Sequence, residues 1–255
     1  MPITASQVNS LRQRTGISMM QCKKALEEAG GDEEKAIEIL RKKGADKAAD
    51  KADRQMREGI ILVKVKDNKA VIVTQYCETD FVAKNGLFRA IAEKAAETAL
   101  KDGIEAAKSK AEPALKDLFA KLGENMSIEV DVLEGEGLGE YVHTNGKVGT
   151  ILNLKKPDSE KARDVAMHIT AMNPNVVRPE DIPDDVVIKE RDIWKHQLEE
   201  EGKPAEIMDR ILEGKEKKFR EESALLKQAF VKDGDKTVEE YLEENTVETF
   251  IRKSI

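Results

Sequence analysis

Aromatic residues are scarce in this chain, at 4% of 255 positions with a single tryptophan, while charged residues reach 36%. That balance points to a helix-rich, highly solvated protein of about two domains, long enough for a sizeable core. Cysteine occurs twice, as Cys22 and Cys77, both in apolar-patterned settings without CxxC spacing. A disulfide framework or thiolate metal site is therefore disfavoured, and buried free thiols are expected. The three histidines, His143, His168 and His196, are far apart and none has a partner at metal-ligand spacing. Basic excess is missing too: the formal charge is −7 and the pI is near 5.3, which argues against direct nucleic-acid binding through a basic face. No stretch approaches the ~18 apolar residues of a membrane span, and Met1-Pro2-Ile3-Thr4 lacks the regions of a signal peptide, so a cytoplasmic chain is expected.

Catalytic motifs are equally thin. There is no GxxxxGK[ST] loop and no nucleophile elbow. Gly135-Glu136-Gly137-Leu138-Gly139 is not GxGxxG, and Glu134, Glu136 and Glu140 around it would repel a phosphate. An enzyme would need the three histidines to converge in space. We expect no covalent chemistry, no cofactor and no metal.

What is present begins with the step Thr79-Asp80-Phe81-Val82-Ala83-Lys84, between an apolar strand (70–77) and an amphipathic helix. Connections at strand ends lie on the surface and carry function more often than the scaffold does. Phe81 there is either a lid folded onto the core or a ring offered to a partner.

A second feature is Ser18-Met19-Met20-Gln21-Cys22-Lys23-Lys24-Ala25-Leu26. Ser18 with Gln21 forms a capping box, so a helix starts at Met19. On a 3.6-residue period Cys22, Ala25, Leu26 and Ala29 share one face, with Met19 at its margin as a core filler. Met20 falls opposite, beside Lys23, Lys24 and Glu27, where a flexible thioether suits a partner interface.

The rest of the chain reads as α+β. Residues 1–45 form a three-helix module, with caps at Thr4, Ser18 and Asp32 and stops at Gly16, Gly30-Gly31 and Gly44. Residues 46–58 are charged nearly all round and fit a solvated linker helix. The first half of a two-part core (59–138) has a hairpin of 60–65 and 70–77 about Asp67-Asn68. A helix lined by Leu87, Phe88, Ile91, Ala92, Ala95 and Ala99 follows, then one lined by Leu115, Leu118, Phe119 and Leu122, and a strand from Met126 to Val132. After a flexible joint at 135–139 the pattern recurs in a second half (139–183 and 224–255). There Asn145-Gly146 is a hairpin turn, Ala162, Val165, Ala166 and Ile169 line a helix, Thr237 with Glu240 caps another, and 247–251 form a last strand. An insertion at 184–223 reads as an antiparallel helical hairpin with arms of roughly 22 Å, in which Trp194 buries against Phe219.

These residues taken together resemble bacterial elongation factor Ts. The likeness rests on Thr15-Gly16, Met19-Met20, Cys22-Lys23-Lys24-Ala25-Leu26, Thr79-Asp80-Phe81-Val82-Ala83-Lys84, Ala166-Met167-His168-Ile169, Lys217-Lys218-Phe219 and Gln228-Ala229-Phe230-Val231. It implies a guanine-nucleotide exchange factor for elongation factor Tu, with a ubiquitin-associated-like N-terminal module, a two-part core of small antiparallel sheets with helices, and a coiled-coil insertion. It also implies that Asp80 and Phe81, flanked by Thr79 and Val82, meet the partner's nucleotide-binding domain near its magnesium and phosphate site, with His143 pressing on the same domain. Arg12, Met19, Met20 and Lys23 match the N-terminal contact surface, and Phe230 and Val231 match the region facing the partner's third domain. A homodimer inside a complex with two partner chains is a further option.

The sequence departs from the family pattern at Ile17-Ser18, where small residues are common, at Gln21 for a frequent Asp, and at Ala229 for a Pro, which should loosen that loop. It also stops at Phe250-Ile251-Arg252-Lys253-Ser254-Ile255, where relatives usually continue into another strand and helix; the loss of contacts there should lower affinity more than activity. The competing reading is a binding module without exchange activity, an adaptor or chaperone-like factor using the helical arm and the Met20 surface. Only the rate of nucleotide release separates the two.

Overall fold

The computed structural model describes residues 3–255 apart from 51–53, with the backbone alone over 44–50 and 205–206. At the N-terminus, α1 (Ala5–Thr15), α2 (Met19–Glu28) and α3 (Glu33–Asp50) bury Val8, Leu11, Ile17, Cys22, Ala25, Leu26, Ala36 and Leu40 in one small core. Thr4 and Gln7 complete a reciprocal capping box at α1. Ser18 accepts from the Gln21 amide, but the Gln21 carbonyl takes the Ser18 hydroxyl instead of its backbone N–H. Gly16 closes α1 at φ 70°. Gly44 does not close α3, which runs on to Asp50; an interior glycine costs only about 1 kcal/mol, too little to end a helix by itself. The linker helix expected over 46–58 is thus not a separate element. Residues 46–50 belong to α3, 51–53 lie outside the described residues, and 54–57 are not helical.

The core has two antiparallel sheets. In the first, β1 (Glu58–Lys66) turns through Asp67 (φ 53°) and Asn68 into β2 (Lys69–Cys77). The chain then makes α4 (Asp80–Ala83), α5 (Gly86–Asp102) and α6 (Ile104–Leu122) and returns as β3 (Met126–Glu134), in the order β1-β2-β3. In the second, β4 (Gly137–Val142), β5 (Val148–Leu154) and, after α7 (Ser159–Met172), the late strand β8 stand in the order β4-β5-β8. Between α7 and β8 come α8 (Asp184–Glu200), α9 (Ala205–Ser223), the short pair β6 (Ala229–Phe230) and β7 (Asp233–Thr237), and α10 (Val238–Leu242); β8 itself spans Val247–Ser254. Each sheet has its second strand in the middle, so the two halves repeat one plan.

Strand alternation sorts the side chains into four layers. Val71, Val73 and Val130 face α5 and α6, packing on Ala92, Ala96 and Ala99. Ile61, Ala70 and Ile72 face the other sheet and meet Ile151, and Leu152 and Leu154 turn outward onto Ala162, Val165 and Ile169 of α7. At Gly149 a Cβ would lie 2.8 Å from Ile61 Cγ2, so the sheets approach there only because no side chain intervenes. The glycines of 135–139 are likewise not a flexible joint: β4 begins at Gly137, and a Cβ on Gly139 would sit 2.6 Å from that of Ala162. Gly139 is small so that α7 can lie directly on the strand, whereas Gly135 and Gly137 leave room for Asn153 and Leu154 of β5.

The insertion is a helical hairpin, with Trp194 and Phe219 meeting edge to face at 5.6 Å and Arg191 bonded to Glu216 at 3.1 Å. Among the described residues, no helix is long and apolar enough to cross a membrane.

Candidate partner-binding surface

The chain leaves β2 under tight local control. The Thr79 backbone N–H and hydroxyl both donate to the Glu124 carboxylate, at 3.0 and 2.7 Å, and the Thr79 oxygen in turn caps α4 at the Val82 amide. Glu78 accepts from the Asn125 N–H at 2.8 Å. One residue of α4 points in: Val82 is buried with Cys77, Phe88 and Leu118. Its neighbour, about 100° round the helix, points out, and Phe81 is 82% exposed. The Gln75 amide N–H donates to the Phe88 carbonyl at 2.8 Å, tying the end of β2 to the first turn of α5. A ring this open forgoes about 2 kcal/mol that burial would return. Its position is nonetheless fixed from both sides, so Phe81 is a presented ring and not a lid on its own core.

The electrostatics follow from the same geometry. Asp80 Oδ2 lies 2.7 Å from Lys84 Nζ, and that bond holds the Asp80 carboxyl below its ordinary value. The more distant charge of Lys147 pulls in the same direction. The Cys77 thiol beneath is pushed up to about 12, first by burial and then by the nearby charges of Glu124 and Glu58. It is free, protonated and inert, as is expected of a buried cysteine in an acidic setting.

His143 stands exposed on the β4–β5 turn. Its N–H donates to the Val148 carbonyl and its carbonyl accepts from Gly146. The turn is docked on the first half, because Gly146 O accepts from the Ile61 N–H at 2.7 Å and Lys147 Nζ meets Glu58 at 2.5 Å. The structure therefore brings Thr79, Asp80, Phe81 and Val82 into one neighbourhood with the turn that carries His143.

On the N-terminal module Arg12 and Lys23 are exposed, Lys23 lying 3.9 Å from Glu27. Met20 is 66% exposed and Met19 is 45% exposed. Met19 is thus no core filler: its place at the margin of the apolar face leaves it outside a core that Cys22, Ala25 and Leu26 already close. Leu87 also departs from expectation. It lies open to solvent on the first turn of α5, about 100° round the helix from the buried Phe88 and so off the covered face.

Phe230 and Val231 separate. Val231 is half exposed, whereas Phe230 is buried, stacked on Tyr241 at 4.1 Å and tilted against His168 at 5.9 Å. The direct contact expected of Phe230 is therefore corrected: its ring is the foundation of the tip that offers Val231. The residues after Ala229 are tied to α7. The Val231 N–H donates to His168 Nδ1 at 3.1 Å, and Lys232 Nζ bonds both oxygens of Asp164 at 2.9 Å.

The three histidines lie on separate elements: His143 on a turn, His168 buried in α7, and His196 on α8 beside Glu200 at 3.7 Å. Among the described residues no group of three His, Cys, Asp or Glu side chains is arranged to hold a metal. A cleft between α6 and β3, lined by Pro113, Phe119 and Ser127, contains none of the candidate contact residues from Thr79 to Val82, His143, or the Met19–Met20 pair.

The geometry thus leaves the Phe81 ring and the Met19 and Met20 thioethers open on the surface. The family described as Elongation factor TS matches residues 78–255. The elongation factor Ts of Pasteurella multocida is 45% identical over 98% of this chain and 90% of its own length. That of Hydrogenobaculum is 40% identical over 97% and 96%, and that of Nitratiruptor is 46% identical over 96% and 87%. The chain belongs to the bacterial elongation factor Ts family, the non-catalytic guanine-nucleotide exchange factors of elongation factor Tu.

Proposed function

We propose that Phe81 is the exchange wedge: it enters the nucleotide-binding domain of elongation factor Tu and stabilises an opened arrangement in which the ligands of magnesium and phosphate are displaced. The observation that carries this reading is an 82% exposed ring on a short helix whose neighbour Val82 is locked into the core. A factor can weaken nucleotide binding only by as much as it prefers the empty partner, and nucleotide weakens the factor equally. Phosphate is held by placed backbone N–H groups and by the metal, so a small displacement removes strong, charge-assisted bonds. Leaving groups, bases and nucleophiles have no part in this.

Asp80 brings a carboxylate beside the ring, kept ionised by Lys84. In the exchange complex it competes electrostatically with phosphate or accepts a hydrogen bond from the displaced segment. His143, on the turn docked against β1, presses on the same domain. Arg12, Met19, Met20 and Lys23 anchor the N-terminal module, and Val231, seated on Phe230, faces the third domain. The division of labour is that Phe81 sets the rate within the complex and the anchors set how much complex forms.

Release of a fluorescent GDP from elongation factor Tu, followed by stopped flow at saturating factor, tests the assignment. Phe81→Ala should slow release while Met20→Ala should be corrected by adding more factor. Equal behaviour of the two variants would remove the wedge.

A further inference from the structure

The tip that bears Val231 is held by one imidazole whose proton position is dictated by its surroundings. The Gln228 amide nitrogen donates to the Glu222 carbonyl at 2.9 Å, which turns its oxygen toward His168 Nε2 at 3.0 Å. Nε2 therefore carries the proton, and Nδ1 is left as the acceptor for the Val231 N–H at 3.1 Å. His168 is fully buried, and its ring packs against Phe230. One turn earlier on α7, Asp164 takes both Lys232 Nζ and the Tyr241 hydroxyl, each at 2.9 Å. Two side chains four residues apart on one helix thus clamp consecutive residues of the tip, Val231 through its backbone and Lys232 through its ammonium. Nothing in the packing of α7 onto β4 and β5 calls for an imidazole at this position, since Ala162, Val165, Ala166 and Ile169 supply that face.

We propose that His168 is the positioning residue for the interface with elongation factor Tu: as a neutral Nε2–H tautomer it fixes the backbone at Val231 so that the apolar side chain is held out at a set height. The proposal rests on the reading of Val231 as a contact. Pre-organising the tip raises affinity because the complex then forms without ordering a loop.

The test compares two amides. His168→Asn places its oxygen near Nδ1 and keeps the acceptor for Val231; His168→Gln reaches toward Nε2 and leaves the Val231 N–H unpartnered. Calorimetry with nucleotide-free elongation factor Tu should show His168→Gln weakened roughly tenfold and His168→Asn close to the parent protein. Exchange of the Val231 amide proton should be fast in the Gln variant and protected in the Asn variant. In the double variant with Val231→Ala, the two losses should not add, because both act through one contact. Equal affinities for the Asn and Gln variants, or full additivity with Val231→Ala, would overturn the proposal. Parent-like affinity of Val231→Ala itself would instead overturn the contact reading beneath it.

Discussion

In the first half of the core the chain passes from its middle strand to its helix through residues 78–85, and in the second half through residues 155–158. Both connections are stitched to the segment that precedes the third strand. Glu78 and Thr79 bond Asn125 and Glu124 just before β3; the Lys155 and Lys156 amides bond Thr246 and Asn245 just before β8. After the stitch the halves part. The second goes through Pro157 to Asp158, which caps α7 at once, whereas the first inserts α4 and with it Asp80 and Phe81. The scaffold is duplicated, and the candidate site is the one short turn that the duplicate lacks. The two phenylalanines teach the same lesson: Phe81 is presented and Phe230 is consumed in the support of Val231.

The largest expected effect sets those rings against each other. Phe230→Ala should cost about 3–5 kcal/mol of stability through the cavity left on Tyr241 and His168, while Phe81→Ala should stay within about 0.5 kcal/mol, as surface changes do. Urea unfolding measures both, and similar losses would erase the distinction. Next come the stitches. Thr79→Val and Asn245→Ala should each cost about 1–2 kcal/mol, but only Thr79→Val should also slow GDP release, since only its connection carries Phe81, the proposed wedge. Equal release rates for the two would mean that α4 is held without the Thr79 cap. Met20→Ala should leave stability unchanged and weaken binding by roughly fivefold, seen by calorimetry; unchanged affinity would remove Met20 from the interface.

The smallest effect is a pH dependence confined to the second half. Burial lowers the His168 pKa below its ordinary 6.5, so the unfolded chain takes up that proton first. Its contribution to stability is complete above about pH 6.5 and is lost as pH falls from there toward the depressed folded value. Denaturation curves at pH 7.5 and 5.5 should therefore differ less in His168→Asn than in the parent protein. An identical pH response in the two would show that His168 does not titrate in this window.

Much of this was legible in the sequence because it was written locally. The caps at Thr4, Asp32 and Thr237, the turn at Asp67-Asn68 and the Trp194–Phe219 pair each depend on residues close in the chain or on a period of 3.6. What misled was decided by distant neighbours. Phe230 lies in a two-residue strand with no periodicity, and its burial is set by Tyr241 and by His168, far back on α7. Leu87 sits at the margin of the apolar stripe, about 100° round α5 from the buried Phe88. The glycines of 135–139 look like a hinge until Ala162 is seen lying against Gly139. Phe81 stood between the two: an aromatic at a strand end left a lid and a presented ring equally open, and only the fold, with the Thr79 cap and the buried Val82, decided for the presented ring.

The central claim is that this ring acts on the bound nucleotide and does not merely add contact area. Stopped-flow release of fluorescent GDP from elongation factor Tu at saturating Phe81→Ala, with its thermal unfolding recorded alongside, tests that most directly. If Phe81 is the wedge, the release rate falls at least about tenfold below the parent protein's while the melting curve is unchanged. A parent-like maximal rate from the folded variant would contradict it.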